Sequence, residues 1–384
     1  MADSTPQPHV GLSTILREWG RIGCIGFGGP PTHIVLLRQL CVQRREWIPA
    51  DEFEDAIAAC NLLPGPSSTQ LAIYCAGRVG GPAAAILGGL AFILPGLAAI
   101  LVIAVATLSA SPPAWLRGVG AGAGAAVVPV VAAAGLSLGR ASLAGRTREG
   151  RARALGYLAA GVAAAVATGP WVVLVLLVAG LLELGLRRRS VAALHAWPVV
   201  LAVAAGTASA LPALAWTAFK VGALSYGGGF VIIPLMHGDA VDAHGWMTDA
   251  EFTGAVAFGQ LTPGPVTQTV ALVGYAAAGL GGALLAAAIA FAPSFLVVAL
   301  GGDGFRRLRA STAARAFLDG AGPAAVGAIL GAAVPLATGL STVWQVGVLG
   351  AAAALLLAGR SPLPVLLAGG AAGAVAALAG APLP

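Results

Sequence analysis

Apolar stretches separated by short polar or Gly/Pro-rich interruptions alternate along the whole chain. In the first half they run approximately from Gly11 to Leu37, Phe53 to Ala76, Pro82 to Ala110, Gly118 to Leu138, Ala154 to Thr168, Trp171 to Leu186 and Ala192 to Ala210. They continue from Leu211 to Met236, Phe252 to Ala277, Gly281 to Gly301, Gly320 to Ala337, Val343 to Ala358 and Leu363 to Leu383. A straight bilayer crossing takes about 20 apolar residues, so this pattern predicts an all-α polytopic membrane protein. Two segments in each half are broken near their middle. The breaks are Gly26-Phe27-Gly28-Gly29-Pro30-Pro31 and Pro64-Gly65-Pro66 in one half, and Gly227-Gly228-Gly229 and Pro263-Gly264-Pro265 in the other. Proline removes a backbone donor and clashes with the preceding turn. Broken backbone at membrane depth survives only when it is buried in protein or lines a wet cavity.

The breaks belong to a repeat with one offset. Arg21 and Lys220, Trp47 and Trp246, Glu52 and Glu251, and Pro64 and Pro263 are each 199 residues apart. Paired Gly/Pro-broken segments in two homologous halves point to a transporter binding site. The expected organisation is a first repeat over 1–190, a linking transmembrane segment over 191–211 and a second repeat over 212–384.

Composition agrees with the pattern: 58% of the 384 residues are hydrophobic and 9% are charged, against roughly 25% charged in soluble domains. The net charge of +6 is spread between apolar segments, so it is not a nucleic-acid patch. Lys220 is the sole lysine. The cysteines Cys24, Cys41, Cys60 and Cys75 show no C-x-x-C spacing and read as packing residues. No basic n-region with a cleavage site precedes His9, so a removed signal peptide is not expected. Gly120-Ala121-Gly122-Ala123-Gly124 imitates half a nucleotide fingerprint, but inside an apolar segment it reads as small-residue helix packing. Neither H-E-x-x-H, P-loop nor G-x-S-x-G occurs, and no enzyme activity, cofactor or metal is expected.

Loop charge separates two topologies. Arg38–Arg45 carries three arginines, whereas its repeat partner His237–Glu251 carries Asp239, Asp242, Asp249 and Glu251. The positive-inside rule places the first loop in the cytoplasm and the second outside. Treating the four broken segments as re-entrant hairpins also puts the clusters at Arg140–Arg153, Arg187–Arg189 and Arg306–Arg315 inside. Nine crossings then remain, and the unpaired Ala192–Ala210 segment inverts the second half. Thirteen plain crossings satisfy the other clusters but leave Arg38–Arg45 outside. The charges favour inverted repeats.

The ordered motifs resemble the chromate ion transporter family in its long, two-domain form. In the first half they are Phe27-Gly28-Gly29-Pro30 with His33, Arg44-Arg45-Glu46-Trp47, Asn61 through Gln70, and Phe92-Ile93-Leu94-Pro95. In the second half they are Gly245-Trp246-Met247-Thr248, Gly259 through Pro265, Ala290 through Ser294, and Phe317-Leu318-Asp319-Gly320. Two positions depart from the family pattern. Gln39 stands where a Glu is usual, and Tyr226-Gly227-Gly228-Gly229-Phe230 replaces a stretch nearer F-G-S-G-Y. The resemblance implies a multi-pass protein of the bacterial inner membrane. It would export chromate, driven by the membrane potential or proton gradient, and so confer chromate resistance; uptake of sulfate or another tetrahedral oxyanion is the nearer alternative. An uncoupled anion channel is the rival reading. Either a monomer or a homodimer fits the chain length.

Chromate is a tetrahedral dianion, and half-helix N-termini offer it free N–H groups and the positive end of the dipole. The expected site brings the two P-G-P breaks together: Pro64, Gly65, Pro66, Ser67, Ser68, Thr69 and Gln70 with Thr262, Pro263, Gly264, Pro265, Thr267 and Gln268. Gly28, Gly29, Gly227 and Gly228 permit close backbone approach. Asn61 and Gln260 either donate to the anion or satisfy carbonyls freed by the breaks. Arg21 and Lys220 are either counter-charges or snorkelling interface residues. His33, Glu52 and Glu251 are candidates for proton coupling, against structural roles as a satisfied histidine and helix-start acids. Glu183 is expected in an interfacial ion pair with the neighbouring arginines. Asp319 is expected at a helix start, favoured there by the dipole.

Overall fold

Each half opens with short helices where the sequence carries an interrupted apolar run. The structure is a computed structural model and describes residues 10–60, 63, 65–109, 111–167, 172–187, 210–225, 230–299 and 311–384. The first half comprises α1 (Leu12–Ile25), α2 (Pro30–Arg38), a π-helical turn Gln39–Arg44, α3 (Ala50–Cys60), α4 (Ser67–Thr107), α5 (Ala114–Leu143), α6 (Arg148–Ala167) and α7 (Val172–Arg187). The second comprises α8 (Ala210–Leu224), α9 (Ile232–His237), a π-helical turn Gly238–Ala243, α10 (Asp249–Leu261), a 3₁₀ turn Val266–Gln268, α11 (Thr269–Ala299), α12 (Thr312–Thr338), α13 (Val343–Leu357) and α14 (Pro362–Leu378). No strand occurs among the described residues. Most of the predicted linking segment falls in 188–209, outside them.

The 14 residues of α1 span about 21 Å, too short for a hydrocarbon core of about 30 Å. Side-chain pairs show that the short helices fold back as hairpins. Glu18 on α1 accepts from Arg44 (2.9 Å) and Arg45 (3.2 Å), beyond the end of α2. Glu52 in the first turn of α3 accepts from Tyr74 and Arg78 on α4. The Val10 amide, at the start of α1, donates to Val79 O at 2.9 Å. All the open ends therefore lie together, with the breaks at the far tips, as expected of re-entrant hairpins. Within α4 the backbone turns sharply at Gly81 (φ 82°, ψ −174°). Its long arm then returns along the short one, with Gly88 beside Ala76 and Gly89 beside Ile73. In α11 the same reversal falls at Ala278–Gly279, bringing Gly282 against Gly274.

The second half repeats these contacts with different chemistry. Arg38 lies 5.5 Å over the Phe53 ring, and His237 sits edge-on to Phe252 at 5.1 Å. Arg45 lies over Trp47, and His244 stacks on Trp246. One arginine-rich loop and one histidine- and aspartate-rich loop thus share one frame.

The halves interlock. The long arms of α4 and α11 pack on each other, α5 packs on α12, α13 and α14, and α12 packs on α6 and α7. Gly118 and Gly122 of α5 meet the backbone of α14 at Gly369 and Gly373, while Gly120 and Gly124 face Phe258, Thr253 and Gly254 of α10. The run of alternating glycines is thus a two-sided packing surface. Among the described residues four helical stretches are long and apolar enough to cross a bilayer: Ser67–Thr107, Ala114–Leu143, Val266–Val298 and Thr312–Thr338. Their outward faces carry exposed Leu94, Val102, Leu284 and Leu296, a surface that suits lipid. Aromatic anchors such as Trp19, Phe53, Phe92 and Phe252 are fully buried.

Asp319 departs from expectation. The helix begins earlier, at Thr312, capped by the Ser311 side chain. Asp319 therefore sits in the third turn, where its carboxylate meets Arg187 (2.8 Å) and Arg146 (3.6 Å) rather than a helix dipole. Glu183 is paired as expected with Arg187 (2.8 Å), and also with Arg153 (3.0 Å) on α6.

Candidate functional site: paired helix breaks at the floor of a basic cavity

At the two P-G-P breaks the central residue must adopt a left-handed backbone: Gly65 has φ 118° and Gly264 φ 92°. Glycine takes these values without the Cβ penalty of other residues. Proline on either side stops the incoming helix and starts the next without losing a needed donor. α4 begins at Ser67 directly after Pro66, and the 3₁₀ turn begins at Val266 directly after Pro265. Neither start has a side-chain cap, nor does α2, which begins after Gly29. The starts at Ser67 and Val266 thus leave their first N–H groups without an intrahelical partner or a capping oxygen, whereas α2 opens on Pro30 and Pro31, which have no N–H, and leaves only that of Thr32.

The tips of the two halves touch. The Gly264 amide donates to Gly26 O at 2.9 Å, and Gly29 faces the Val266 side chain. Each half's long arm also packs against the other half's break. A Cβ on Gly96 would overlap the Pro263 carbonyl oxygen and the Gln268 amide. The mirrored position is filled by Ser294, whose hydroxyl lies 2.8 Å from where a Cβ on Gly65 would stand. Gln268 donates to Ile93 O (2.8 Å) across the halves. Gly23 and Gly222, 199 residues apart, let α1 and α8 close onto the carbonyls of Phe92 and Ala290.

Several polar atoms at this junction lack a partner. Among the described residues Ser68 Oγ, Thr69 Oγ1, Gln268 Oε1, Ser294 Oγ and Gln260 Nε2 are buried without a hydrogen-bond partner. Leaving such an atom unpaired costs about 1–3 kcal/mol, so a concentration of them marks a place built for a polar guest. Thr267 shares a hydrogen bond with Ser225 (3.1 Å), Thr262 donates to Gly259 O, and Gln70 is buried beside Gly65.

Gly28, Gly29, Gly65, Ser67, Gln260 and Val266 line the inner end of a cavity of about 1510 Å³. Its walls come from α5 and α12, and its outer end holds Arg146, Arg153, Arg187, Arg315 and Arg360. Asp319 is the one carboxylate among the lining residues.

The comparisons with known proteins bear out the resemblance. The chromate transporter family profile matches residues 13–184 and 212–374. The chain belongs to the chromate transporter family. It is 34% identical over 343 residues to the chromate transport protein of Cupriavidus metallidurans, covering 86% of this chain and 84% of that protein. It is 30% identical over 353 residues to a probable chromate transport protein of Synechococcus elongatus, covering 88% of each. A chromate transport protein of Pseudomonas aeruginosa is 29% identical, with 86% of this chain and 82% of that protein covered. No solved structure matches the chain.

Within this family member, the remaining expected site residues fall in three groups. Asn61, Pro64, Gly227 and Gly228 lie outside the described residues. Arg21 and Lys220 are not among the residues lining this cavity. Arg21 is exposed on α1. Lys220 is buried and its ammonium pairs with Asp239 at 2.6 Å, the carboxylate also accepting from Thr217 at 2.7 Å. Among the proton-coupling candidates, Glu52 is held by Arg78, and Glu251 closes a capping box with Thr248. His33 donates through Nε2 to Gly26 O (2.9 Å), and its buried Nδ1 has no partner among the described residues.

Sequence reasoning missed Ser294, Gly96 and the five arginines. Ser294 and Gly96 follow the family-like Pro293 and Pro95 directly, a signal that points to both once the breaks are assigned to the other half.

Proposed function

We propose that this protein exports chromate across the bacterial cytoplasmic membrane, with the divalent oxyanion held at the junction of the two P-G-P breaks. The observation that carries the reading is the convergence of two uncapped helical starts, at Ser67 and Val266, on the floor of one cavity, with the unpartnered buried hydroxyls of Ser68, Thr69 and Ser294 in the same junction. Such a floor supplies donors and positive potential without a fixed cation, so a dianion is held but not trapped. The positive-inside rule puts the arginine-rich end of the cavity toward the cytoplasm, which supports loading from that side. The membrane potential alone suffices to drive outward movement. A dianion gains about 4.6 kcal/mol per 100 mV, roughly a 2,000-fold concentration ratio, and export on this scale would confer chromate resistance.

Everted vesicles test the reading, because their outer face is the cytoplasmic one. An imposed interior-positive potential is expected to drive uptake of labelled chromate, and an uncoupler is expected to abolish respiration-driven uptake. Uptake no greater than in vesicles lacking the protein would sink export. Uptake that rises linearly with chromate and does not saturate would favour the uncoupled channel, and equal displacement by sulfate would widen the substrate to tetrahedral oxyanions.

A further inference from the structure

We propose that the arginines at the mouth of the cavity form a second, outer anion site, which gathers divalent oxyanions from the cytoplasm before they reach the breaks. The inference rests on the export reading for its direction, and on the geometry of the mouth for its chemistry. Glu183 is 1% exposed and accepts from Arg153 Nε (3.0 Å), Arg153 Nη2 (3.3 Å), Arg187 Nε (2.8 Å) and Tyr157 (3.2 Å). Arg187 Nη1 then reaches Asp319 (2.8 Å). Arg146 donates through Nε to Ser142 O and through Nη2 to Asp319 O. These contacts engage two of the three nitrogens on each guanidinium and fix its plane.

Arg153 and Arg187 keep 37% and 44% of their side-chain surface exposed, so the buried carboxylate orients them without hiding them. With Arg315 and Arg360 on the same cavity, five arginines line it among the described residues against one lining carboxylate, Asp319. An arginine fork with its inner edge anchored presents the remaining N–H groups in a fixed array, the arrangement that suits tetrahedral oxyanions.

The asymmetry between the halves supports a recruiting role. The helices of the second half that repeat α6 and α7 are α13 and α14. From Val343 to Leu378 the chain carries a single charge, Arg360, and that residue lies on this same cavity. The loop at the opposite end of the inverted repeat instead exposes Asp242, Asp249 and Glu251. A basic mouth on one side and an acidic loop on the other raise the local oxyanion concentration at the loading side alone. The field sets affinity on each side; the net direction still follows the electrochemical gradient.

The test uses Arg315→Gln and Arg360→Gln in the full-length protein, with chromate uptake by everted vesicles measured at about 10 mM and about 1 M ionic strength, where the Debye lengths are about 30 Å and 3 Å. A dianion about 10 Å from a removed charge loses an interaction equivalent to roughly a fourfold change in occupancy in water. Each variant is therefore expected to raise KM about fourfold at low salt, leave the maximal rate unchanged, and converge on the wild type at high salt. Arg360→Lys keeps the charge and is expected to keep the wild-type KM. A wild-type KM in both Gln variants at low salt overturns the outer site, as does a KM defect that persists at 1 M. Labelled chromate binding to detergent-purified protein, free of anionic lipid, runs the same comparison without transport. If the wild type fails to transport yet its binding weakens fourfold in the Gln variants, export falls and the outer site stands. If it transports and binding is indifferent to both substitutions, the outer site falls and export stands.

Discussion

Gly96→Ala is expected to cut chromate uptake by more than tenfold. The added Cβ would occupy the space of the Pro263 carbonyl oxygen and the Gln268 amide. Neither yields cheaply, since Pro263 belongs to a break held by the Gly264–Gly26 hydrogen bond, and Gln268 is anchored on Ile93 O. The long arm of α4 must move away from the second break, which separates the halves at the proposed anion site. Overpacking of this kind costs about 1–3 kcal/mol, so the melting temperature in detergent is expected to fall as well. Gly222→Ala, which meets the Ala290 carbonyl between α8 and α11, is expected to behave alike. Gly156→Ala is the control. It lies exposed on α6 with nothing within 4 Å of the added atom, and removing a helical glycine stabilises by about 0.5–1 kcal/mol. Wild-type uptake and melting in Gly96→Ala would remove the close junction of arm and break from the mechanism.

That junction also shows where sequence reading stops. The breaks were legible because proline and glycine act locally: P-G-P ends one helix and starts another wherever it stands. The hairpins followed from loop charge, and the alternating glycines of α5 from their setting in an apolar run. Contacts between halves carry no such local signature. Gly96 and Ser294 matter only because each arm lies against the other half's break, joining residues that the chain separates by well over a hundred positions. The charged pairs were hidden for a related reason. Glu18 and Thr217 are equivalent positions, as are Leu40 and Asp239, so repeat alignment sets an acid against a hydroxyl and an apolar residue against an acid. The hairpin reveals that each half balances its own charge, with acid on the first helix of one half and base on the first helix of the other. Asp319 read as a helix-start acid because the apolar run begins beside it, whereas the helix itself starts at Thr312 on polar residues.

Lys220 gives the second large effect. Its ammonium and the Asp239 carboxylate are both nearly inaccessible, at 8% and 6% side-chain exposure, and lie 2.6 Å apart with Thr217 completing the acid's bonding. Removing one member of a buried pair leaves an uncompensated charge and costs about 3–5 kcal/mol, whereas replacing both with apolar residues of similar volume is near neutral. Lys220→Met and Asp239→Leu are each expected to lose most of the folded protein recovered from membranes, and the double variant to regain it. Transport by the double variant then decides what the lysine is for. Its charge is already committed to Asp239 and it stands off the cavity, so the double variant is expected to transport chromate with a KM within about twofold of wild type. A folded double variant with a KM raised tenfold or more would return Lys220 to the anion path. Arg21→Ala, at the equivalent but exposed position, is expected to leave both folding and KM unchanged, since Arg44 and Arg45 supply the hydrogen bonds to Glu18, the buried acid one turn before it. The two repeat-equivalent cations thus separate by burial: one holds a hairpin together, and the other is free to change.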